Sequence, residues 1–135
     1  MIWDCLETPL RPTVQFFIEA PDREPASELQ RVASFRRDLR KGFPAARVAA
    51  FPNAGKRGPA AVRQAKAEGM APGMVDMLVL HAGRLAFLEW KNGRDLPSNA
   101  QTEWMNWLDA QGHVVGCVRT SRGAIAFLKE RGVLP

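Results

Sequence analysis

Three residues that could do chemistry lie on the two arms of what reads as a β-hairpin. Asp76 sits in VDMLVL (75–80), and Glu89 and Lys91 sit in LAFLEWK (85–91). Between them, His81-Ala82-Gly83-Arg84 places a glycine at the centre of a tight turn. Whether His81 faces Arg84 or the ladder closes one pair earlier at Leu80 and Leu85, paired positions sum to 165, so Asp76 falls opposite Glu89. Directly facing residues have Cβ atoms about 4.5–5.5 Å apart, and like charges there repel. Strand alternation puts Glu89 and Lys91 on one face with Leu85 and Phe87, and sends Ala86, Leu88 and Trp90 to the other. Lys91 then lies about 6.6 Å along the same face as Glu89, at a rise of about 3.3 Å per residue.

A carboxylate pair on otherwise apolar strands must take up a proton or meet a cation. Mg²⁺ or Mn²⁺ resolves the conflict, because Asp76, Glu89 and the Trp90 backbone carbonyl are hard oxygen donors that leave room for water and phosphate. Lys91 is placed to orient or activate an attacking water and to offset charge on the phosphorane. The same spacing also fits a plain Glu89–Lys91 salt bridge with Asp76 capping the loop, and residue types alone leave both readings open.

The elements that must hold these residues follow from caps, periodicity and punctuation. Ser27-Glu28-Leu29-Gln30 is a capping box that opens a helix to about Lys41, ended by Gly42, with Val32, Phe35 and Leu39 on one face. Residues 47–51 (RVAAF) read as a strand stopped by Pro52, followed by the basic turn NAGKRG (53–58) and a short helix from Pro59 to Gly69. After the hairpin, Ser98-Asn99-Ala100-Gln101 is a second capping box, for a helix to Ala110 with Trp104, Trp107 and Leu108 expected on its buried side. HVVGCV (113–118) is a continuous apolar strand expected at the sheet centre, parallel to LAFLEWK, and Ser121 begins a last helix ending at Gly132. The expectation is an α/β fold, with one domain over 27–135 built on a mixed four-stranded sheet flanked by helices. Residues 1–26 read as an N-terminal extension, whose strand TVQFFIE (13–19) is a candidate for pairing across a homodimer.

Charge points to a polyanionic partner. The chain carries 19 Lys+Arg against 14 Asp+Glu, a net +5, and the excess is local. Between Arg31 and Ala67 there are ten cations and one acid, or +9, which leaves the remainder at −4. That asymmetry suits a protein that grips a polyanion with one part and works with carboxylates in the other. A solvated helix face plus a loop would carry the same charges. Lys56 and Arg57 in the short Gly-flanked turn are candidate phosphate contacts, with Asn53 beside them and Arg36, Arg37 and Arg40 on the preceding helix. No apolar run approaches the roughly 18 residues of a membrane span, and Asp4 and Glu7 stand where a secretory signal would be basic and then apolar. The expectation is a cytoplasmic protein in which Cys5 and Cys117 are reduced thiols, Cys117 inside a buried strand. No CxxC or Cys/His cluster suggests zinc.

Taken together, GMAPGMVDMLVL, FLEWK and the glutamine in SNAQTEWMNWL resemble the PD-(D/E)XK nuclease superfamily. More narrowly the chain is similar to the VRR-NUC (virus-type replication-repair nuclease) family, whose lead-in resembles FPNAGKRG, a short Lys/Ala-rich helix and EGMAPG here. The resemblance spans about residues 27–121 and departs from the family at Val75, where a proline is common. It implies a restriction-endonuclease-like core and a Mg²⁺- or Mn²⁺-dependent deoxyribonuclease acting on branched or duplex DNA in replication, repair or recombination. It further implies that Asp76 and Glu89 hold the metal and that Lys91 assists the water. Glu28 and Gln101 would sit near the same site, although Glu28 also suits a helix first turn and Gln101 is also a capping residue. A non-cleaving nucleic-acid-binding module of the same fold is the alternative, against which the intact Asp76/Glu89/Lys91 set argues, since facing carboxylates repel phosphate.

Overall fold

A computed structural model describes residues 11–51, 58–69 and 73–135. Among the described residues five strands and four helices follow in the order β1 (Phe17–Ile18), α1 (Glu28–Gly42), β2 (Arg47–Ala50), α2 (Pro59–Ala67), β3 (Met77–His81), β4 (Arg84–Trp90), α3 (Asn99–Ala110), β5 (Val114–Val118) and α4 (Ser121–Glu130). The strands form one mixed sheet in the order β1-β5-β4-β3-β2, parallel across β1, β5 and β4 and antiparallel across β4, β3 and β2. This is an α/β fold, and no helix among the described residues is long and apolar enough to cross a membrane.

Local chemistry accounts for most boundaries. Both expected capping boxes form: Ser27 accepts from the Gln30 N–H and Ser98 from the Gln101 N–H, and each glutamine side chain returns to the cap residue's own N–H. At the hairpin, His81 pairs with Arg84 across Ala82 and Gly83, which adopt φ of 49° and 75°. Two consecutive positive φ values make a turn whose twist matches the flanking strands.

The sheet has helices on both faces. Phe35 and Leu39 of α1 and Phe127 and Leu128 of α4 pack with Val79, Leu88, Trp90 and Val118 on one side. Met105 and Leu108 of α3 pack with Phe87, Val115 and Cys117 on the other. Alternation along β4 sends Trp90 into the first layer, where its ring meets Phe35 at 5.3 Å, and Glu89 toward α3. Cys117 is fully buried in β5, and that burial pushes its thiol up to about 12.

Three expectations are corrected. The sheet has five strands rather than four, because the N-terminal segment supplies an edge. Only Phe17–Ile18 of TVQFFIE is strand, and it pairs with Gly116 and Cys117 of its own chain. Its neighbour Phe16 is buried in the α3 layer, and Phe17 stacks on Phe127 at 4.6 Å across Gly116. The Glu19 carboxylate then accepts from the Arg119 and Thr120 N–H groups and the Thr120 hydroxyl, supplying an anion at the start of α4. Second, Trp107 is exposed, because α3 buries Thr102, Met105 and Leu108 and leaves Trp107 on its flank against Trp104. Third, Arg31 does not belong to the exposed basic surface. It is only 3% exposed, clamped by both Asp22 oxygens at 2.6 and 2.8 Å and by the carbonyls of Ala26, Glu24 and Arg119.

Candidate metal centre

The hairpin ladder runs from His81↔Arg84 to Met77↔Leu88, every pair summing to 165, and Asp76 and Glu89 are the next positions outward. There the side chains take over from the backbone. The Asp76 N–H donates to Glu89 Oε2 at 3.1 Å, and the Trp90 N–H donates to Asp76 Oδ2 at 2.8 Å. Each carboxylate is thus fixed by an amide of the opposite arm. The Phe51 N–H donates to the Asp76 carbonyl at 2.8 Å, so the end of β2 fastens the same residue from its other side.

Two further groups converge on Glu89 Oε1. Gln101 Nε2 donates to it at 2.7 Å, and Lys91 Nζ stands 3.7 Å away. Gln101 serves both functions expected of it, since its Oε1 accepts from the Ser98 N–H at 2.9 Å while its Nε2 holds Glu89. The helix cap therefore aims the amide nitrogen at the carboxylate. Glu89 is 1% exposed, and Lys91 and Asp76 are half-buried. Loss of water pushes the Glu89 carboxyl up to about 8, the Asp76 charge pushes the same way, and Lys91 offsets only part of it.

That balance tests whether a divalent cation fits. The site holds two facing carboxylates whose repulsion is only partly met, so it favours either a proton on Glu89 or added positive charge. The donors are hard oxygens, the type that Mg²⁺ and Mn²⁺ take. Backbone alternation adds one more. The Lys91 N–H donates to the Val118 carbonyl on β5 and the Trp90 N–H points to Asp76, so the Trp90 carbonyl lies on the edge of β4 that faces Asp76. Among the described residues no cluster of three or more His, Cys, Asp or Glu side chains gathers, so the protein would offer Asp76, Glu89 and the Trp90 carbonyl and leave the remaining positions to water and substrate. Mg²⁺ commonly keeps several waters, and the donors fit.

The other predicted residues stand apart. Glu28 is exposed in the first turn of α1, in the layer opposite Gln101, and among the described residues no hydrogen bond or ion pair joins it to the carboxylates. Arg36, Arg37 and Arg40 are exposed on the same helix, away from the carboxylate face. Asn53, Lys56 and Arg57 lie outside the described residues. Arg47, not singled out by sequence, lines one cleft with Arg36 and Arg40. Its sequence signal is slight, a cation at the first residue of the strand that follows the arginine-bearing helix.

No protein-family model, curated protein or solved structure matches the chain.

Proposed function

We propose that this protein is a divalent-metal-dependent deoxyribonuclease with a PD-(D/E)XK core of the VRR-NUC type. The observation that carries the reading is the buried Glu89 facing Asp76, with Lys91 Nζ 3.7 Å and Gln101 Nε2 2.7 Å from the same oxygen. Asp76, Glu89 and the Trp90 carbonyl would hold Mg²⁺ or Mn²⁺. When bound, the ion supplies Lewis-acid polarisation and charge neutralisation at a phosphodiester.

The chain's own residues do the rest. Asp76 and Glu89 stay aligned because each accepts an amide of the opposite arm. Gln101 orients Glu89 and, by donating to its charged form, favours ionisation. Lys91 extends from the strand end, where its ammonium can hydrogen-bond the attacking water and offset negative charge building on the non-bridging phosphate oxygens. Hydrolysis forms one P–O bond to that water and breaks another, and the departing alkoxide takes up a proton. Asn53, Lys56, Arg57, Arg36 and Arg40 are assigned to the DNA, while Arg37 pairs with Asp38 at 3.4 Å. Within this reading the substrate is branched or junction DNA in replication, repair or recombination, cut in the cytoplasm, with a homodimer as the form that would engage two arms.

The test is nicking of labelled duplex, fork and four-way-junction DNA with Mg²⁺ or Mn²⁺. Lys91→Ala and Asp76→Asn should each lower cleavage by at least about 100-fold while the fold persists. A crystal soaked in Mn²⁺ should show anomalous signal between Asp76 and Glu89. Cleavage at the wild-type rate by Lys91→Ala, or DNA binding with no cleavage by the wild-type protein, would overturn the reading, the latter in favour of a binding module.

A further inference from the structure

Arg36 and Arg40 lie four residues apart on α1 and so share one helix face, where like charges repel. Edge strand β2 brings Arg47 beside them, and the three line a cleft of about 290 Å³ with Leu39, Pro44 and Val48. Among the described residues no carboxylate lines it. The one acid between these arginines in sequence, Asp38, is committed elsewhere: its Oδ1 meets Arg37 at 3.4 Å and its Oδ2 accepts from the Ser121 hydroxyl at 2.6 Å. Among the described residues Arg47 Nη1 makes two long contacts, 3.4 Å each, to the Pro44 and Ala46 carbonyls. Among the described residues Arg36 and Arg40 make no ion pair. Three arginines around an apolar floor at the β2 edge suit a phosphate group, whose oxygens take the planar guanidinium fork two at a time.

We infer that this cleft seats backbone phosphates of the nucleic-acid substrate, in the layer opposite the carboxylates, so that the strand reaches the metal centre by passing over the β2 edge. The inference rests on the nuclease reading for what happens at Glu89, but not for what the cleft binds. Register sets the spacing. Arg47 pairs with Leu80 and Ala50 with Met77, and the Phe51 N–H meets the Asp76 carbonyl. Arg47 therefore stands four residues, about 13 Å, along β2 from the level of Asp76. At about 3.4 Å per nucleotide of one strand, the seated phosphate lies at least roughly four nucleotides from the bond at the carboxylates. The substrate class is a polynucleotide with an arm of that length or more beside the cut, and Arg37 has no part in holding it.

The test is binding of labelled DNA in EDTA, so that cutting plays no part, at several salt concentrations. The proteins compared are the wild type, Arg36→Gln/Arg40→Gln/Arg47→Gln, and Arg37→Gln as control, all with substitutions at exposed positions. The triple variant should lower the slope of log Kd against log salt by roughly 2–3, near 0.9 per phosphate contact on duplex DNA, and Arg37→Gln should leave it unchanged. Extending the arm from about two to about ten nucleotides on the correct side should tighten binding to the wild type and not to the triple variant. An unchanged slope in the triple variant, or an equal loss in Arg37→Gln, would overturn the inference. So would a cleft whose arginine side-chain NMR signals shift with inorganic pyrophosphate while DNA binding ignores the triple substitution, since that marks a small-phosphate site. A protein that shows the expected slopes and yet cuts nothing with Mg²⁺ or Mn²⁺ refutes the nuclease reading and leaves the cleft standing.

Discussion

Gln101 and Glu89 are joined by a 2.7 Å hydrogen bond whose donor is the nitrogen end of an amide that caps its own helix with its oxygen end. One side chain thereby couples the start of α3 to the most buried carboxylate among the described residues, so helix position and carboxylate orientation are set together.

The coupling separates two variants that would otherwise look alike. Ser98→Ala and Gln101→Ala each remove part of the cap and should each cost about 1 kcal/mol in urea denaturation. Only Gln101→Ala also frees Glu89, and it should weaken Mn²⁺ binding in calorimetric titration by about 10- to 100-fold, the usual effect of losing a residue that orients a ligand. Equal weakening by Ser98→Ala would show that the Gln101–Glu89 bond does not orient the carboxylate.

Glu89 predicts a pH dependence of fixed sign. Its folded value, about 8, lies above its ordinary 4.5, chiefly because burial penalises the charge and secondly because Asp76 faces it. Its contribution to stability is therefore fully present below about pH 4.5 and is lost as pH rises through about 8. In EDTA, urea denaturation of the wild type should show this decline, and Glu89→Gln should flatten it. Mn²⁺ affinity should move the opposite way, rising up to about pH 8 as the proton leaves. A wild-type profile as flat as that of Glu89→Gln would mean that burial and Asp76 together do not raise the Glu89 carboxyl.

Gly73 lets the chain pass against α3 just before Asp76. Its φ is +83°, and a Cβ there would lie 2.6 Å from the Ala100 carbonyl carbon and 2.7 Å from its oxygen. Gly73→Ala should cost about 2 kcal/mol or more, from the backbone strain and the collision together, and should displace the first turn of α3. Because Gln101 follows Ala100, amide exchange at Gln101 and Mn²⁺ affinity should both change. Loss of stability without either change would show that α3 tolerates the shift.

The hairpin was legible in the sequence because its signals agree. Gly83 in the turn, the alternation of LAFLEWK and the fixed sum of paired positions left one register that puts Asp76 against Glu89. The capping boxes were legible for the same reason, each being a contact over three residues. What did not read through depended on partners far along the chain. Arg31 counts as a surface cation until Asp22 and three carbonyls close around it, and nothing local in TVQFFIE says that Gly116 and Cys117 will be its neighbours. Trp107 misled because an aromatic residue at helical spacing suits a core, whereas the stripe that meets the sheet is Thr102, Met105 and Leu108. At the site, Gln101 read both as cap and as carboxylate partner, but which end of its amide does which work depends on the fold and was not legible.

The seam between β1 and β5 also bears on the timing of folding. Glu19 and Arg119 are 100 residues apart, yet the sheet edge and the start of α4 are closed by their contact. Synthesis runs from the N-terminus, so Phe16 and Phe17 leave the ribosome long before Gly116 exists to receive them. The hairpin between them needs only neighbouring residues and can form early, whereas closure of so distant a seam is slow. For that interval two aromatic side chains and an unpaired strand edge stay exposed on the nascent chain, which makes this N-terminal segment the natural stretch for a chaperone to hold.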